Sequence, residues 1–290
     1  MTPEEIRKIL EFQANEITEH HIYGKLAVLQ KSEHNQQILK ELSAEELKHY
    51  NLLKKYTNRD PKPHLFRIWF YVWLARLFGL TFSLKLMEQG EVLAQDSYRN
   101  CEGDILTDLQ KMADDEEIHE QKLIELIDEE GLNYMGAVVL GLNDALVEFT
   151  GTLAGYSFAL QQPKLVALTG AITGIAAALS MAASEYLSIR TEKTKDKNAL
   201  KAAVYTGITY IITVTVLILP FILLNNVYLA LGICLFGALV VIAIFNYYYS
   251  IVKTESFKRR FTEMAVISMS IAAISFLIGY ALRMLTGIDL

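Results

Sequence analysis

The sequence predicts an all-α protein in two parts, a four-helix bundle over residues 1–132 and a five-helix transmembrane domain over residues 133–290. Two observations predict this class. The first part is dense in Glu, Lys, Asp and His, whereas the second holds five apolar stretches of near-membrane length separated by short polar loops. The hydrophobic content of 52% is therefore an average over two unlike halves.

The N-terminal part is expected to form four helices, at about 2–31, 33–56, 65–100 and 104–130. Pro3 suits the first position of the first helix, and Gly131 suits a C-terminal cap of the fourth. The second helix should end before the turn-forming residues 58–63. Four helices of this length favour a bundle.

The C-terminal part is expected to cross a membrane five times, at about 136–160, 165–189, 199–224, 227–249 and 261–285. Basic residues concentrate in the loops at 190–201 and 253–260, which lie on one side of the membrane. By the positive-inside rule that side is the cytoplasm. We therefore expect a multi-pass protein of the cell membrane, in contact with the lipid bilayer, with its N-terminal part in the cytoplasm and its C-terminus outside.

Charge and cysteine content narrow the function further. The formal net charge of −6 arises mainly in the first half, which indicates a carboxylate-rich domain. No basic patch with interleaved aromatics occurs, so a nucleic-acid partner is not expected. Cys101 and Cys234 fall in different halves, which argues against a disulfide framework.

A repeated carboxylate and histidine pattern marks the N-terminal part. Two helices carry Glu-x-x-His, and this spacing places both side chains on one helix face, where they can reach a single metal ion. The other two helices each carry a further Glu. The whole set is Glu16, Glu46, His49, Glu91, Glu116 and His119. Glu and His are also common on solvated helix faces, but the twofold repetition favours a metal site over that interpretation.

With these residues, the segment from 1 to about 130 resembles the rubrerythrin branch of the ferritin-like superfamily. The resemblance implies a ferritin-like bundle with a diiron (Fe2+/Fe3+) centre ligated by that set, with Glu46 and Glu116 as bridges and Mn2+ as the alternative metal. Rubrerythrins carry a seventh carboxylate where this chain has Ala94, and Glu88 is the candidate substitute. This departure argues against a peroxidase cycle that needs the extra ligand. Glu19 is expected to face solvent.

Polar residues also interrupt the first two spans. Asn143, Asp144 and Glu148 lie in the first, and Met181 and Glu185 lie in the second. Ionisable residues inside a span are costly, so they indicate an ion pathway facing the bundle interior. A thioether beside carboxylates suits a transition metal such as Fe(II), although apolar packing is the alternative role for Met181.

These two spans resemble the vacuolar iron transporter family, which has Asn-Asp in its first span and Ser-Met followed by Glu-Tyr in its second. The resemblance covers residues 132–288 and implies a homodimer that moves Fe(II) out of the cytoplasm in exchange for protons. It also implies that Asp144 and Met181 contact the metal, with Glu185 near the cytoplasmic mouth. Plant-type members carry a metal-binding insert after the second span. The connection at 190–198 is too short for one, so the N-terminal bundle is expected to take its role.

The fused architecture resembles the prokaryotic membrane-bound ferritins, which are associated with iron export. Two functions stay open. In the first, the chain is a proton-coupled Fe(II) exporter, with Mn(II) as the alternative cargo, whose bundle captures, senses or oxidises iron. In the second, it is a membrane-anchored ferroxidase or peroxidase, and the spans serve only as an anchor.

Overall fold

The computed structural model describes residues 3–95, 107–112, 114–115, 118–119, 134–192 and 198–286. For residues 5, 88–95, 192 and 286 it describes the backbone alone. Within these ranges every regular element is helical and no strand occurs, which confirms the all-helical class. The chain divides into two compact units, Met1–Glu129 and Glu130–Leu290. Each unit is described by itself below.

Unit 1 contains four described helices, and further helical residues at 107–112, 114–115 and 118–119, here called the 107–119 segment. The helices are α1 Pro3–Leu29, α2 Glu33–Thr57, α3 Leu65–Phe78 and α4 Leu80–Gln95. The Ser32 side chain caps α2 by accepting from the Asn35 amide. Asn58 ends α2 in the left-handed region at φ 49°, a conformation that asparagine tolerates better than most residues.

The predicted third helix is broken, and this expectation was wrong. Gly79, at φ 93° and ψ 162°, separates α3 from α4. Side chains rarely adopt that backbone conformation, so glycine suits the break. The Ser83 hydroxyl donates to the Tyr71 carbonyl across the break, which ties the start of α4 to α3.

Apolar packing brings the 107–119 segment against α1 and α2. Ile9 and Phe12 of α1, Leu53 of α2, and Leu109 and Met112 of the segment form one buried cluster. The segment is thereby held beside the two helices that carry Glu16 and Glu46. The expectation that Glu19 faces solvent was wrong, because its side chain is buried one turn from Glu16.

Unit 2 contains five helices long and apolar enough to cross a membrane, counted over the described residues. They are span 1 Met135–Leu160, span 2 Pro163–Thr191, span 3 Ala199–Leu223, span 4 Val227–Lys253 and span 5 Phe257–Leu285. The helices of spans 2 and 5 run one residue further, to Glu192 and Thr286. Many large apolar side chains on spans 2–5 are exposed, as expected where lipid is the solvent.

Span 1 is not a regular α-helix. It is α-helical over Met135–Asp144, π-helical over Ala145–Phe149 and α-helical again over Thr150–Leu160. Such π-segments are rare and are frequent at functional sites. This one lies directly after Asp144 and contains Glu148, so it places the two acidic residues of the span at an irregular turn.

Small residues let the other spans approach span 1 closely. A Cβ atom at Gly141 would collide with the Thr206 carbonyl of span 3, and Thr206 donates its hydroxyl to the Ala137 carbonyl at 3.1 Å. At the other end, a Cβ on Gly279 of span 5 would lie 2.5 Å from the Gly155 carbonyl. Span 1 is therefore fixed between spans 3 and 5 by backbone contact.

Candidate metal centre and intramembrane polar site

Three predicted ligands meet between α1 and α2. Glu16, Glu46 and His49 each offer one ligand atom, and these atoms lie within 4.8 Å of one another. His49 Nδ1 is 3.4 Å from Glu16 Oε2 and 3.5 Å from Glu46 Oε2. All three side chains are buried. A buried group of two carboxylates and an imidazole fits a divalent transition metal ion.

A fourth predicted ligand, His119 of the 107–119 segment, contacts Glu46 of this group. Its Nδ1 atom is 3.1 Å from Glu46 Oε1, so the two oxygens of Glu46 face two different imidazoles. A carboxylate in this position can bridge two cations, each also contacted by one histidine. The pair of metal positions that the rubrerythrin resemblance implies stays a prediction.

Two outer carboxylates hold the histidines. His119 Nε2 is 2.7 Å from Glu45 Oε2, and His49 Nε2 is 3.4 Å from Asp115 Oδ2. Each ring thus turns Nδ1 toward Glu46 and Nε2 toward a carboxylate, the arrangement that orients metal-binding histidines. The contacts are reciprocal, because each outer carboxylate lies four residues before one histidine and contacts the other.

The charge of Glu46 follows from its partners. Burial by itself raises the pKa of this carboxyl group, but contacts with His119, His49 and Glu16 outweigh burial and lower the pKa to about 2. Glu46 is therefore ionised at neutral pH despite being 1% exposed. A buried negative charge between two imidazoles favours the arrival of a cation.

The remaining predicted ligands are described less fully or not at all. Glu88 and Glu91 lie on α4, of which the backbone alone is described at those positions. Glu116 lies outside the described residues. Their roles as ligands stay predictions.

The acidic residues of span 1 meet a tyrosine of span 3. The Glu148 carboxyl group lies beside that of Asp144 and beside the Tyr210 hydroxyl. Asn143 Oδ1 and Asp144 Oδ2 are buried atoms with no hydrogen-bond partner in the described part of the chain. Buried polar atoms normally have partners, so the Asp144 oxygen beside Glu148 is suited to a ligand.

Met181 and Glu185 lie one turn apart on span 2. Met181 is half-buried and packs against the apolar core of unit 2. This contact is consistent with apolar packing, the alternative role for Met181. Glu185 is half-buried nearer the end of the helix. Two glycines of the same span receive the Phe149 ring from the π-segment, since Cβ atoms at Gly170 and Gly174 would lie 3.5 Å and 3.1 Å from it.

Sequence reasoning missed three residues of these sites: Glu45, Asp115 and Tyr210. An acidic residue immediately before each Glu-x-x-His pair was a visible signal for the first two. For Tyr210 no local signal existed, because its contact with Glu148 depends on how spans 1 and 3 pack.

No curated protein matches the chain. Residues 135–197, which contain spans 1 and 2 and the connection that follows, match the VIT family. The match includes Asn143, Asp144, Glu148, Met181 and Glu185, so all five polar and thioether residues singled out in these spans fall inside it. Spans 1 and 2 with the connection after them are therefore similar to the VIT family, within a chain that has five candidate membrane helices in its described part.

Proposed function

We propose that this protein transports Fe(II) across a membrane through unit 2 and binds iron at the carboxylate and histidine group of unit 1. The similarity of residues 135–197 to the VIT family supports a membrane transporter of metal ions. The observation that carries the proposal is the group formed by Asp144, Glu148 and Tyr210, whose oxygens are gathered within membrane-spanning helices. A helix that served only as a membrane anchor would not need acidic side chains at this depth, because they are unfavourable inside a bilayer.

The cargo follows from the donor types near this path. Carboxylate and phenol oxygens bind hard and borderline cations, and the Met181 thioether on span 2 favours a transition metal among them. Fe(II) fits this combination, and Mn(II) is the competing cargo. Export from the cytoplasm in exchange for protons is the direction proposed here, as the family resemblance implies. The basic loops at 190–201 and 253–260 support the orientation alone, with these loops in the cytoplasm.

We further propose that two copies assemble through span 1. Glu148 and Leu140 are exposed on the surface of a single copy, at membrane depth. A carboxyl group facing lipid is unfavourable, so the same face of a second copy is a suitable cover. The path for the metal would then lie between the two copies of span 1.

The unit 1 centre would hold one or two iron ions. Glu16, Glu46 and His49 would bind one position, and Glu46 with His119 the other. A bound iron pair supplies redox chemistry toward oxygen or peroxide. The protein residues bury the site, keep Glu46 ionised and fix both histidines through Glu45 and Asp115. We propose that this centre collects cytoplasmic iron for unit 2.

The test is metal and proton flux in vesicles reconstituted with the full-length protein, with Fe(II) and Mn(II) supplied separately. Asp144→Asn keeps the size of the side chain and removes its charge, so metal-dependent flux should be lost. Thr215→Val, on span 3, removes a hydroxyl that donates to the Ile211 carbonyl, outside the Asp144 group, and should leave flux unchanged. Full flux in Asp144→Asn would exclude Asp144 from the path and remove the main support for transport.

An enzymatic role is the second candidate, favoured by the buried ligand group of unit 1. In that case the full-length protein should oxidise Fe(II) rapidly on addition of oxygen or peroxide, and Glu46→Ala should abolish oxidation. If Asp144→Asn abolishes flux while oxidation continues, the chain is a transporter that also oxidises iron. If oxidation is fast and no variant of unit 2 changes flux, the spans are an anchor.

A further inference from the structure

A row of large apolar side chains lies uncovered along one face of α3. We call it the α3 stripe, and it consists of Leu65, Phe66, Trp69, Trp73 and Leu77. These side chains are between 44% and 74% exposed, whereas Ile68, Tyr71 and Leu74 on the opposite face are buried in unit 1. Contiguous exposed apolar surface of this kind marks an interaction site.

Aromatic rings give the stripe an ordered surface. Trp69 and Trp73 stack with ring centroids 6.2 Å apart, and Phe66 stacks on Phe70 at the same separation. These are the two tryptophans of the protein. Tryptophan is enriched at the boundary between lipid and water, because its ring is apolar and its N–H group is polar.

Basic residues flank the stripe without any acidic residue. Residues 61–87 contain Lys62, Arg67, Arg76 and Lys85 and no Asp or Glu. Lys62 and Arg76 are exposed, and Arg76 is adjacent in sequence to Leu77 of the stripe. An apolar helix face bordered by cations is complementary to the surface of a bilayer that contains anionic lipid.

The length of α3 fits a helix lying on a membrane better than one crossing it. With 14 residues, α3 is about 21 Å long, and a hydrocarbon core of roughly 30 Å needs about 20 residues. The candidate membrane spans belong to the same chain, so unit 1 is tethered to the bilayer that they would cross.

We propose that the α3 stripe docks on the surface of the lipid bilayer, with Trp69 and Trp73 at headgroup depth and with Lys62 and Arg76 against anionic headgroups. The other candidate occupant is a second copy of the same stripe. A twofold contact would bring Lys62 and Arg76 of one copy close to the same two cations of the other copy, and such like-charge contacts are unfavourable. The charge pattern therefore favours lipid. This inference does not depend on the function proposed above.

Tryptophan fluorescence tests the proposal on the full-length protein, because every tryptophan lies in the stripe. The protein is reconstituted in vesicles of phosphatidylcholine and phosphatidylglycerol, with bromine placed either high on the acyl chains or near their ends. Bromine high on the chains should quench several-fold more than bromine near the ends, and iodide in the buffer should quench little. This profile is measured without any substitution, so it cannot be lost through misfolding.

Substitutions then assign the contact to the stripe. Phe66→Asp changes a side chain that is 73% exposed and should reduce bromine quenching and increase iodide quenching. The matched control is Val28→Asp on α1, which is 80% exposed and outside the stripe, and it should change neither. Arg76→Gln should weaken docking about fivefold, the contribution of one cation near an anionic surface.

Three results would overturn the proposal. Strong iodide quenching of the unmodified protein in vesicles would place the stripe in water. Protection from both iodide and bromine would mean that protein covers the stripe, as in a contact with a second copy. Equal quenching in vesicles of phosphatidylcholine alone would remove the role given to anionic lipid.

Discussion

The imidazole rings of His49 and His119 stack with their centroids 5.7 Å apart, and both turn Nδ1 toward Glu46. The two rings come from α2 and from the 107–119 segment, so the contact joins parts of the chain far apart in sequence. Each ring is also held by a carboxylate next to the other motif. The centre is therefore built on an approximate twofold relation, with Glu46 shared between its halves.

The shared carboxylate leads to the first prediction. Glu46→Gln removes the charge that faces both imidazoles, so Fe(II) or Mn(II) binding at both positions should weaken together, by more than about 100-fold. Anaerobic titration calorimetry on the full-length protein measures the affinity and the number of ions bound. Glu41→Gln, an exposed position on the same helix, should bind normally. Loss of one ion with the other retained would contradict a bridging role for Glu46.

The outer carboxylates lead to the second prediction. Glu45→Gln should weaken metal binding roughly 10- to 100-fold, the usual effect of removing a partner that orients a metal-binding histidine. Asp115→Asn should have a smaller effect, because its contact with His49 is longer, 3.4 Å against 2.7 Å for Glu45 with His119. The same titration checks both variants. Equal affinities in the unmodified protein and Glu45→Gln would show that the ring of His119 is fixed by packing alone.

Tyr210 leads to the third prediction. Its buried hydroxyl lies beside the Glu148 carboxyl group, so Tyr210→Phe should change stability by no more than about 1 kcal/mol. Metal flux should nevertheless fall about tenfold, because a group gathered with Asp144 and Glu148 is lost. Flux and thermal unfolding are measured on the same preparation. Tyr205→Phe, five residues earlier and stacked on Tyr134, is the control and should transport normally.

Assembly through span 1 leads to the fourth prediction. In a protein whose Cys101 and Cys234 are replaced, Leu140→Cys should be linked to its counterpart by a short bifunctional maleimide in membranes. Leu140 lies on the exposed face of span 1 together with Glu148. Ile172→Cys, exposed on span 2, should not be linked. Efficient linkage at 172 and none at 140 would place the contact between copies elsewhere.

Sequence reasoning reached the all-helical class and the five spans because both depend on local pattern. It reached Glu46 and His49 because the spacing of three residues fixes a shared helix face, and it reached Glu16 because each of the other two helices carries a further Glu. That these residues bind metal stays a prediction, as do the ligand roles of Glu91 and Glu116.

Features set by tertiary contact were not predictable. The break at Gly79 lies between apolar residues that continue the helical pattern on both sides, so the sequence favoured one long helix. Burial of Glu19 depends on the helices packed around α1. The partnership of Glu148 and Tyr210 depends on the close approach of spans 1 and 3 at Gly141.

The π-segment of span 1 makes that helix two α-helices joined out of phase. The first half presents Gly141 to span 3, and the second half presents Gly151 and Gly155 to span 5. If Ala145–Phe149 became α-helical with no residue removed, the second half would rotate by about 100° relative to the first, the turn of one α-helical residue. Both glycines would then turn away from span 5. The irregular turn is thus what allows one helix to serve two neighbours on different sides.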